Sequence, residues 1–149
     1  MLKLIFKKLD IKTIDSIAKW KYDESDDGLY MKPYQDSYLV SPNKMKGPGG
    51  CDGYGVYLQN QLFGLFEYKF VNDELEIGCA LEPSVKGKGY GTEFVLAGVS
   101  FGVSKYQYTG TKVVLDVNVS NIAARKVYEK AGFEVKSSIE ETIRMYKDL

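Results

Sequence analysis

Residues 74–91 read ELEIGCALEPSVKGKGYG and decide the fold. The first half, Glu74 to Leu81, alternates apolar and polar side chains, which predicts a strand. The second half contains a glycine-rich segment, Lys86 to Gly91, which leads into a long predicted helix, roughly Tyr90 to Tyr106. A further strand is predicted at Lys112 to Val117. Because a strand, a helix and a second strand in this order require a crossover, these two strands are expected to run parallel.

The strands on either side of this crossover are predicted to be antiparallel. Upstream lies a three-stranded meander with strands at Tyr54 to Leu58, Leu62 to Val71 and Glu74 to Leu81, and turns at Asn60 with Gln61 and Asn72 with Asp73. Downstream we expect a helix at Ile122 to Ala131 and strands at Phe133 to Ser138 and Thr142 to Lys147. The sequence therefore predicts an α/β fold with a mixed, mostly antiparallel central sheet and flanking helices.

The first third of the chain gives weaker signals. Alternating apolar residues over Met1 to Leu9 predict a first strand, and Thr13 or Asp15 can cap the helix that follows. The aromatic residues further on suit a short helix broken near Pro33. The glycines and prolines of Ser41 to Gly53 predict a surface loop.

Composition indicates one folded domain over residues 1–149, because 44% of the residues are hydrophobic. Basic and acidic residues number 20 each, and this zero formal charge argues against nucleic acid or a membrane as a partner. No apolar run resembles a membrane span or a signal peptide.

Histidine is absent, which excludes histidine-based catalysis and histidine-ligated metals. The two cysteines cannot form a structural zinc site, and we expect free thiols in the cytoplasm.

The segment Lys86 to Gly91, here called the glycine turn, has the properties of an anion site. Glycines let the main chain approach a ligand, and the first N–H groups of the following helix favour a phosphate. Lys86 and Lys88 add positive charge. The spacing fits neither a P-loop nor a dinucleotide-binding fingerprint. The alternative is that a tight turn needs glycine for steric reasons alone.

A second motif occupies residues 121–133, which read NIAARKVYEKAGF. Ser120 or Asn121 can cap a helix there, and Gly132 can end it. Tyr128 lies on the predicted inner face of that helix, where an aromatic residue is usually part of the core. Each of these residues therefore has a structural explanation when taken alone.

Together, the two segments resemble the GNAT superfamily of acetyl-CoA-dependent N-acetyltransferases. Gly89 and Gly91 match the family's phosphate-binding signature (Q/R)-x-x-G-x-(G/A), with Lys86 at the position that usually holds Gln or Arg. The second motif matches N-x-x-A-x-x-x-Y-x-x-x-G-F at Asn121, Ala124, Tyr128, Gly132 and Phe133. The resemblance covers Glu74 to Phe133 well and the first third of the chain loosely.

The resemblance implies acetyl-CoA as the acyl donor and no metal. The CoA pyrophosphate would bind the backbone amides of the glycine turn, and the pantetheine arm would pair with the end of the preceding strand between two splayed parallel strands. The implied cofactor-binding residues are Cys79, Ala80, Leu81, Lys86, Gly87, Lys88, Gly89, Tyr90, Gly91, Thr92 and Asn121. A backbone N–H near Cys79 to Leu81 would stabilise the oxyanion. Tyr128 would be the general acid that protonates the CoA thiolate.

The acceptor amine must lose a proton, and in the absence of histidine the resemblance points to Glu76 as the first candidate base, because several GNAT proteins carry a Glu at the corresponding position. Its alternative role is that of an outward-facing charge on a half-exposed strand. Glu74, Glu67 and Asp116 are weaker candidates. The acidic run Asp23 to Asp27, with nearby aromatic residues, could attract a cationic amine, or could be a solvated acidic turn.

The resemblance therefore implies an enzyme, expected in the cytoplasm, that moves an acetyl group directly from acetyl-CoA to a primary amine of a small molecule, peptide or protein. The alternative is a non-catalytic acyl-CoA-binding sensor or accessory module. The exposed edges of such a sheet would also allow a homodimer.

Overall fold

The computed structural model of the chain describes residues 1–22 and 28–149, so the acidic run at residues 23–27 lies outside the described part. Within the described residues, seven strands form a sheet in the order β1-β2-β3-β4-β5-β7-β6. The strands are β1 (Leu4–Lys8), β2 (Asp52–Leu58), β3 (Gln61–Val71), β4 (Glu74–Leu81), β5 (Lys112–Asn118), β6 (Glu134–Ile139) and β7 (Thr142–Asp148). The α-helices of this part of the chain are α1 (Ile11–Ala18), α2 (Lys32–Val40), α3 (Gly91–Lys105) and α4 (Ile122–Lys130).

The sheet is mixed, as the crossover predicts. Strands β4 and β5 run parallel, with Leu75 opposite Val113 and Glu76 opposite Val114, near the start of both strands. The pairs β1–β2, β2–β3, β5–β7 and β6–β7 are antiparallel. The predicted mixed α/β architecture is therefore confirmed.

Two compact units make up the chain, and each is built from separate stretches of sequence. The N-terminal unit comprises Leu2–Lys69 and Cys79–Lys86, and the C-terminal unit comprises Met1, Phe70–Gly78 and Gly87–Leu149. Strands β3 and β4 contribute residues to both units. The description of the chain as one domain stays a prediction.

The start of the N-terminal unit differs from the sequence prediction. Asp10, and not Thr13 or Asp15, caps α1, because its Oδ1 accepts a hydrogen bond from the Thr13 backbone N–H at 2.7 Å. Asp10 follows β1 closely, so the helix begins as soon as the strand ends. Helix α1 then buries Ile14 and Ile17.

Proline and glycine positions explain two further differences. Pro33 lies in the first turn of α2, where a missing N–H costs no hydrogen bond, so it begins the helix and does not break it. The turn between β2 and β3 uses Gln59 and Asn60, whose φ angles are 50° and 67°, one residue earlier than predicted. The predicted loop at Ser41 to Gly53 includes a 3-10 turn, Pro48–Gly50, and its last two residues already belong to β2.

One hydrophobic cluster of the N-terminal unit includes residues of helix α1 and of helix α2. Its buried members are Leu9, Ile14, Ile17, Trp20, Met31, Tyr34, Cys51 and Leu65. Both cysteines of the sequence lie within the described residues, and both are reduced. Cys51 is buried among these side chains, whereas Cys79 on β4 is half-buried.

The C-terminal unit is organised around β5, which pairs with β4 on one side and β7 on the other. Its residues Val113, Val114 and Leu115 are all buried, as expected of a strand covered on both faces. Helix α4 ends at Lys130 and is followed, after Ala131, by Gly132, whose φ of 98° gives the left-handed terminator that the sequence predicts. No helix in the described part of the chain is both long enough and apolar enough to cross a bilayer.

Candidate active site

The glycine turn combines an unusual backbone with open surroundings. Gly87 and Gly89 have φ angles of 79° and 88°, which side-chain-bearing residues adopt only with strain. A Cβ added at either residue would have no described atom within 4 Å beyond its chain neighbours. These two glycines are therefore required by the backbone conformation, and the space beside them is open.

Gly91 is required for a different reason. A Cβ at Gly91 would lie 2.9 Å from Cγ2 of Val127 on α4, so the missing side chain lets the start of α3 pack closely against α4. The steric explanation of the glycine-rich sequence thus applies to Gly91 through packing and to Gly87 and Gly89 through their positive φ angles.

Helix α3 begins at Gly91, the last residue of the glycine turn. The first N–H groups of any helix have no carbonyl partner within that helix, and they favour an anion. Lys86 and Lys88, which flank Gly87, are both exposed to solvent. The glycine turn thus combines exposed lysines with the backbone donors of a helix N-terminus.

In the N-terminal unit, Tyr22 connects two of the predicted cofactor-binding residues. Its hydroxyl donates a hydrogen bond to the Leu81 carbonyl oxygen at 2.5 Å. The Lys86 ammonium lies over the Tyr22 ring, 5.2 Å from its centre, in a cation–π contact. Burial, followed by the charge of Glu82, raises the pKa of Tyr22, so the hydroxyl keeps the proton that it donates to Leu81.

Cys79 and Ala80, two other predicted cofactor-binding residues, line a cavity of about 110 Å³. The remaining lining residues are Leu29, Tyr30, Met31, Pro48, Leu65 and Glu67. All of these residues belong to the N-terminal unit. Here called the Glu67 cavity, it is mainly apolar and has one carboxylate in its wall.

The second motif forms the predicted helix in the C-terminal unit. Asn121 caps α4, because its Oδ1 accepts a hydrogen bond from the Ala124 backbone N–H at 3.2 Å. Tyr128 is 9% exposed, and its ring meets Phe133 edge to face with 5.9 Å between ring centres. Asn121 is therefore a helix cap and Tyr128 a buried aromatic residue of the core. Their roles toward a cofactor stay predictions.

Glu76, the first candidate base, belongs to an ion-pair network. Arg144 on β7 donates hydrogen bonds to Glu76 Oε1 at 2.5 Å and to Asp116 Oδ1 at 3.0 Å. Partial burial acts to lower the pKa of the Arg144 guanidinium, but the hydrogen bonds to both carboxylates outweigh it and raise that pKa. Glu76 is thus held by a permanent cation, and this pairing argues against a free base at that position.

Sequence reasoning missed Arg144 and the part played by Tyr34. Arg144 lies directly opposite Asp116 in the β5–β7 register, so correct strand pairing would have revealed this contact. Tyr34 donates a hydrogen bond to Glu67, and its position among regularly spaced tyrosines gave the only sequence signal.

Comparison with protein families gives one match over most of the chain. Residues 8–134 match the family model described as "Acetyltransferase (GNAT) domain". No protein of curated function matches the sequence significantly.

Similar solved structures share the fold at low sequence identity. A Vibrio cholerae spermidine N-acetyltransferase in complex with CoA and spermine has a TM-score of 0.73 and 18% identity, over 97% of this chain and 95% of that one. Campylobacter jejuni PseH, an N-acetyltransferase in complex with acetyl coenzyme A, has a TM-score of 0.73 and 17% identity, over 98% and 99%. A GNAT-family acetyltransferase from Bacillus anthracis has a TM-score of 0.70 and 17% identity, over 100% and 96%. At this identity the likeness establishes the fold alone.

Proposed function

Because the chain belongs to the GNAT family of acetyltransferases, we propose that it transfers the acetyl group of acetyl-CoA to a primary amine. The observation that carries this proposal is the glycine turn. Gly87 and Gly89 hold positive φ angles beside open space, immediately before the N-terminus of α3. An extended pyrophosphate fits such an arrangement because backbone N–H groups and the helix dipole both favour its charge.

Coenzyme A would bind along the end of β4 and the glycine turn. We propose contacts of its pyrophosphate with the backbone of Lys86 to Thr92 and of its pantetheine arm with Cys79 to Leu81. Asn121 is a further proposed contact. Support for CoA as the donor comes from the spermidine N-acetyltransferase and PseH neighbours, whose structures contain CoA and acetyl coenzyme A.

The proposed reaction is direct transfer in a ternary complex. The acceptor arrives as an ammonium ion and loses one proton to a carboxylate, after which its nitrogen attacks the thioester carbonyl carbon. The tetrahedral intermediate collapses, the carbon–sulfur bond breaks, and Tyr128 donates its proton to the thiolate. The second nitrogen proton then restores the Tyr128 phenol, so the products are an amide, CoA thiol and one proton.

The proposed acceptor class is a primary amine, and support for an amine acceptor comes from the neighbour named as a spermidine N-acetyltransferase. Glu76 remains a predicted base, to be tested by Glu76→Gln. A cytoplasmic location and a homodimer also stay predictions.

A binding experiment tests the glycine turn. Gly89→Ala places a side chain on a residue with a left-handed backbone, which costs about 1–2 kcal/mol. Because this strain moves the backbone amides of the turn, we expect a higher Kd for acetyl-CoA, measured by calorimetry. Gly50→Ala is the matched control, because its φ of 80° and the absence of described atoms within 4 Å of an added Cβ match those of Gly89, outside the turn. Equal CoA affinity in both variants would contradict the proposed pyrophosphate site.

A kinetic experiment tests the acid. Tyr128→Phe removes only the hydroxyl, and we expect kcat for thiol release to fall at least about 100-fold while the Kd for CoA stays unchanged. Tyr146 is another tyrosine of the same unit, and its ring packs near the Lys112 ammonium. As a control, Tyr146→Phe should keep full activity. Full turnover by Tyr128→Phe would remove the acid assignment.

A non-catalytic acyl-CoA-binding protein is the second candidate, favoured by the engagement of Glu76 with Arg144. Thiol release in the presence of a panel of primary amines separates the two functions. Tight acetyl-CoA binding with no release for any amine would support the binding protein.

A further inference from the structure

The Glu67 cavity contains a carboxylate among apolar side chains, next to the β4 residues proposed to bind the donor. We propose that this cavity receives the ammonium end of an aliphatic primary amine, and that Glu67 is the residue that binds the ammonium and accepts its proton. This inference rests on the proposed acetyl transfer, and it assigns to Glu67 the role first predicted for Glu76.

The Glu67 carboxylate is held from one side. Tyr34 donates a hydrogen bond from its hydroxyl to Oε2 of Glu67 at 2.6 Å. The Cys51 thiol contacts the same oxygen at 3.5 Å. Both of these contacts from described residues end on Oε2, and the proposal assigns Oε1 to the incoming ammonium.

Tyr34 is itself fixed in place. Its side chain is 1% exposed, and a Cβ at Gly47 or Gly53 would lie 2.5 Å or 2.3 Å from its hydroxyl oxygen. The two glycines therefore leave room for the phenol and for little else. A donor that cannot move fixes the carboxylate that it binds, so Tyr34 is the positioning residue of the site.

Tyr34 and Cys51, which contact Oε2 of Glu67, are neutral donors. Burial, followed by the charge of Glu67, raises the pKa of Tyr34 far above neutrality. The same causes raise the pKa of the Cys51 thiol to about 11, although the charge of Lys69 acts to lower it. Glu67 is thus the anion of this cluster, and Lys69, two residues further along β3, is the nearby cation.

Cavity size and lining limit the acceptor. A volume of about 110 Å³ is well below the roughly 300–1,000 Å³ of sites for drug-sized ligands, so it suits the end of a chain. Leu29, Met31 and Leu65 favour methylene groups next to the nitrogen. A carboxylate on the carbon that carries the amine would face Glu67 and be repelled. The site should therefore prefer alkylamines to α-amino acids.

A binding measurement tests the site without turnover. For this experiment the protein is labelled with ¹³C-methyl methionine and titrated with n-butylammonium. A separate titration uses L-norvaline, which differs from n-butylammonium by a carboxylate on the carbon that carries the amine. We expect n-butylammonium to shift the Met31 methyl signal, which lines the cavity, and to leave that of buried Met145 in place. Glu67→Gln should abolish the shift, and norvaline should cause none. No Met31 shift, or an undiminished one in Glu67→Gln, would overturn the assignment.

Kinetics with any amine that releases thiol give the second readout. Glu67→Gln can still accept the Tyr34 hydrogen bond, and we expect its kcat/KM for the amine to fall at least about 100-fold with an unchanged KM for acetyl-CoA. Glu67→Asp should recover part of this loss. Tyr34→Phe should raise the KM for the amine more than it lowers kcat. Asp36→Asn removes an exposed charge of the same unit, paired with Lys32, and should act as wild type.

The outcomes separate the two proposals. A Met31 shift that depends on Glu67, without thiol release for any amine, supports the amine site and contradicts acetyl transfer. Thiol release that is as fast in Glu67→Gln as in the wild type supports acetyl transfer and overturns the role of Glu67.

Discussion

Tyr34 and Gly47 form a contact that leaves no space for another atom. Gly47 has φ −95° and ψ −162°, which alanine can also adopt, so its substitution carries no backbone strain. A Cβ there would lie 2.3 Å from the ring carbon Cζ of Tyr34. We expect Gly47→Ala to lower the free energy of unfolding by about 3 kcal/mol, measured by urea denaturation, because overpacking a buried site costs energy of this size.

A double-mutant cycle gives the control. In a Tyr34→Leu background the added methyl group meets a smaller side chain, so the second substitution should cost less than in the wild type. Gly50→Ala, where φ is 80° and no described atom lies within 4 Å, should cost about 1–2 kcal/mol in both backgrounds. Additive effects of Gly47→Ala and Tyr34→Leu would show that the contact is not the cause.

At this scale, the sequence predicts residues whose role is local. Asn121 caps α4 and Gly132 ends it, because both effects act within one helical turn. The partners of Tyr34 and Arg144 could not be predicted, since Glu67 and Glu76 lie 33 and 68 residues away along the chain. Such contacts depend on how strands and helices pack, which local patterns do not specify. The sequence therefore names the glycine turn and, as a weaker candidate base, Glu67, but it does not predict the hydrogen bond between Tyr34 and Glu67.

Among the secondary-structure elements, α1 offers a pH-dependent cap. The Thr13 backbone N–H, followed by its side chain, lowers the pKa of Asp10. The pKa of Asp10 is therefore lower in the folded protein than in the unfolded chain, where it is about 3.9. The ionised carboxylate stabilises the fold at pH values above the unfolded-state pKa, and this stabilisation is lost as the pH falls through the folded-state pKa. We expect the difference in unfolding free energy between wild type and Asp10→Asn to be constant above about pH 5 and to shrink below about pH 4.

Asp10→Ala provides the comparison for this helix. Asparagine still caps, whereas alanine does not, so Asp10→Ala should lose about 1 kcal/mol more than Asp10→Asn at pH 7 by urea denaturation. A wild-type advantage over Asp10→Asn that persists undiminished at pH 3 would mean that the Asp10 charge does not support the cap.

Elements with regular patterns were predicted well. Strands β3 and β4, the turn at Asn72 and Asp73 and helix α3 lie within a residue or two of their predicted bounds. Alternation and helical periodicity extend over many residues there and average out single exceptions. The start of α1 was wrong because Asp10, Thr13 and Asp15 are all good caps, and only the end of β1 decides among them. Pro33 was misread because proline suits the first turn of a helix and disrupts its interior.

For the whole molecule, the division into two units makes cooperativity testable. Each unit combines distant stretches of chain, and β3 and β4 run through both, so neither unit corresponds to a continuous segment that could fold on its own. Domains of this size usually unfold in one step. We expect the urea midpoint reported by Trp20 fluorescence in the N-terminal unit to equal that reported by the Met145 methyl signal in the C-terminal unit. Two separate midpoints would contradict the single-domain prediction. A second measurement adds acetyl-CoA at a saturating concentration, and an equal rise of both midpoints would support the prediction.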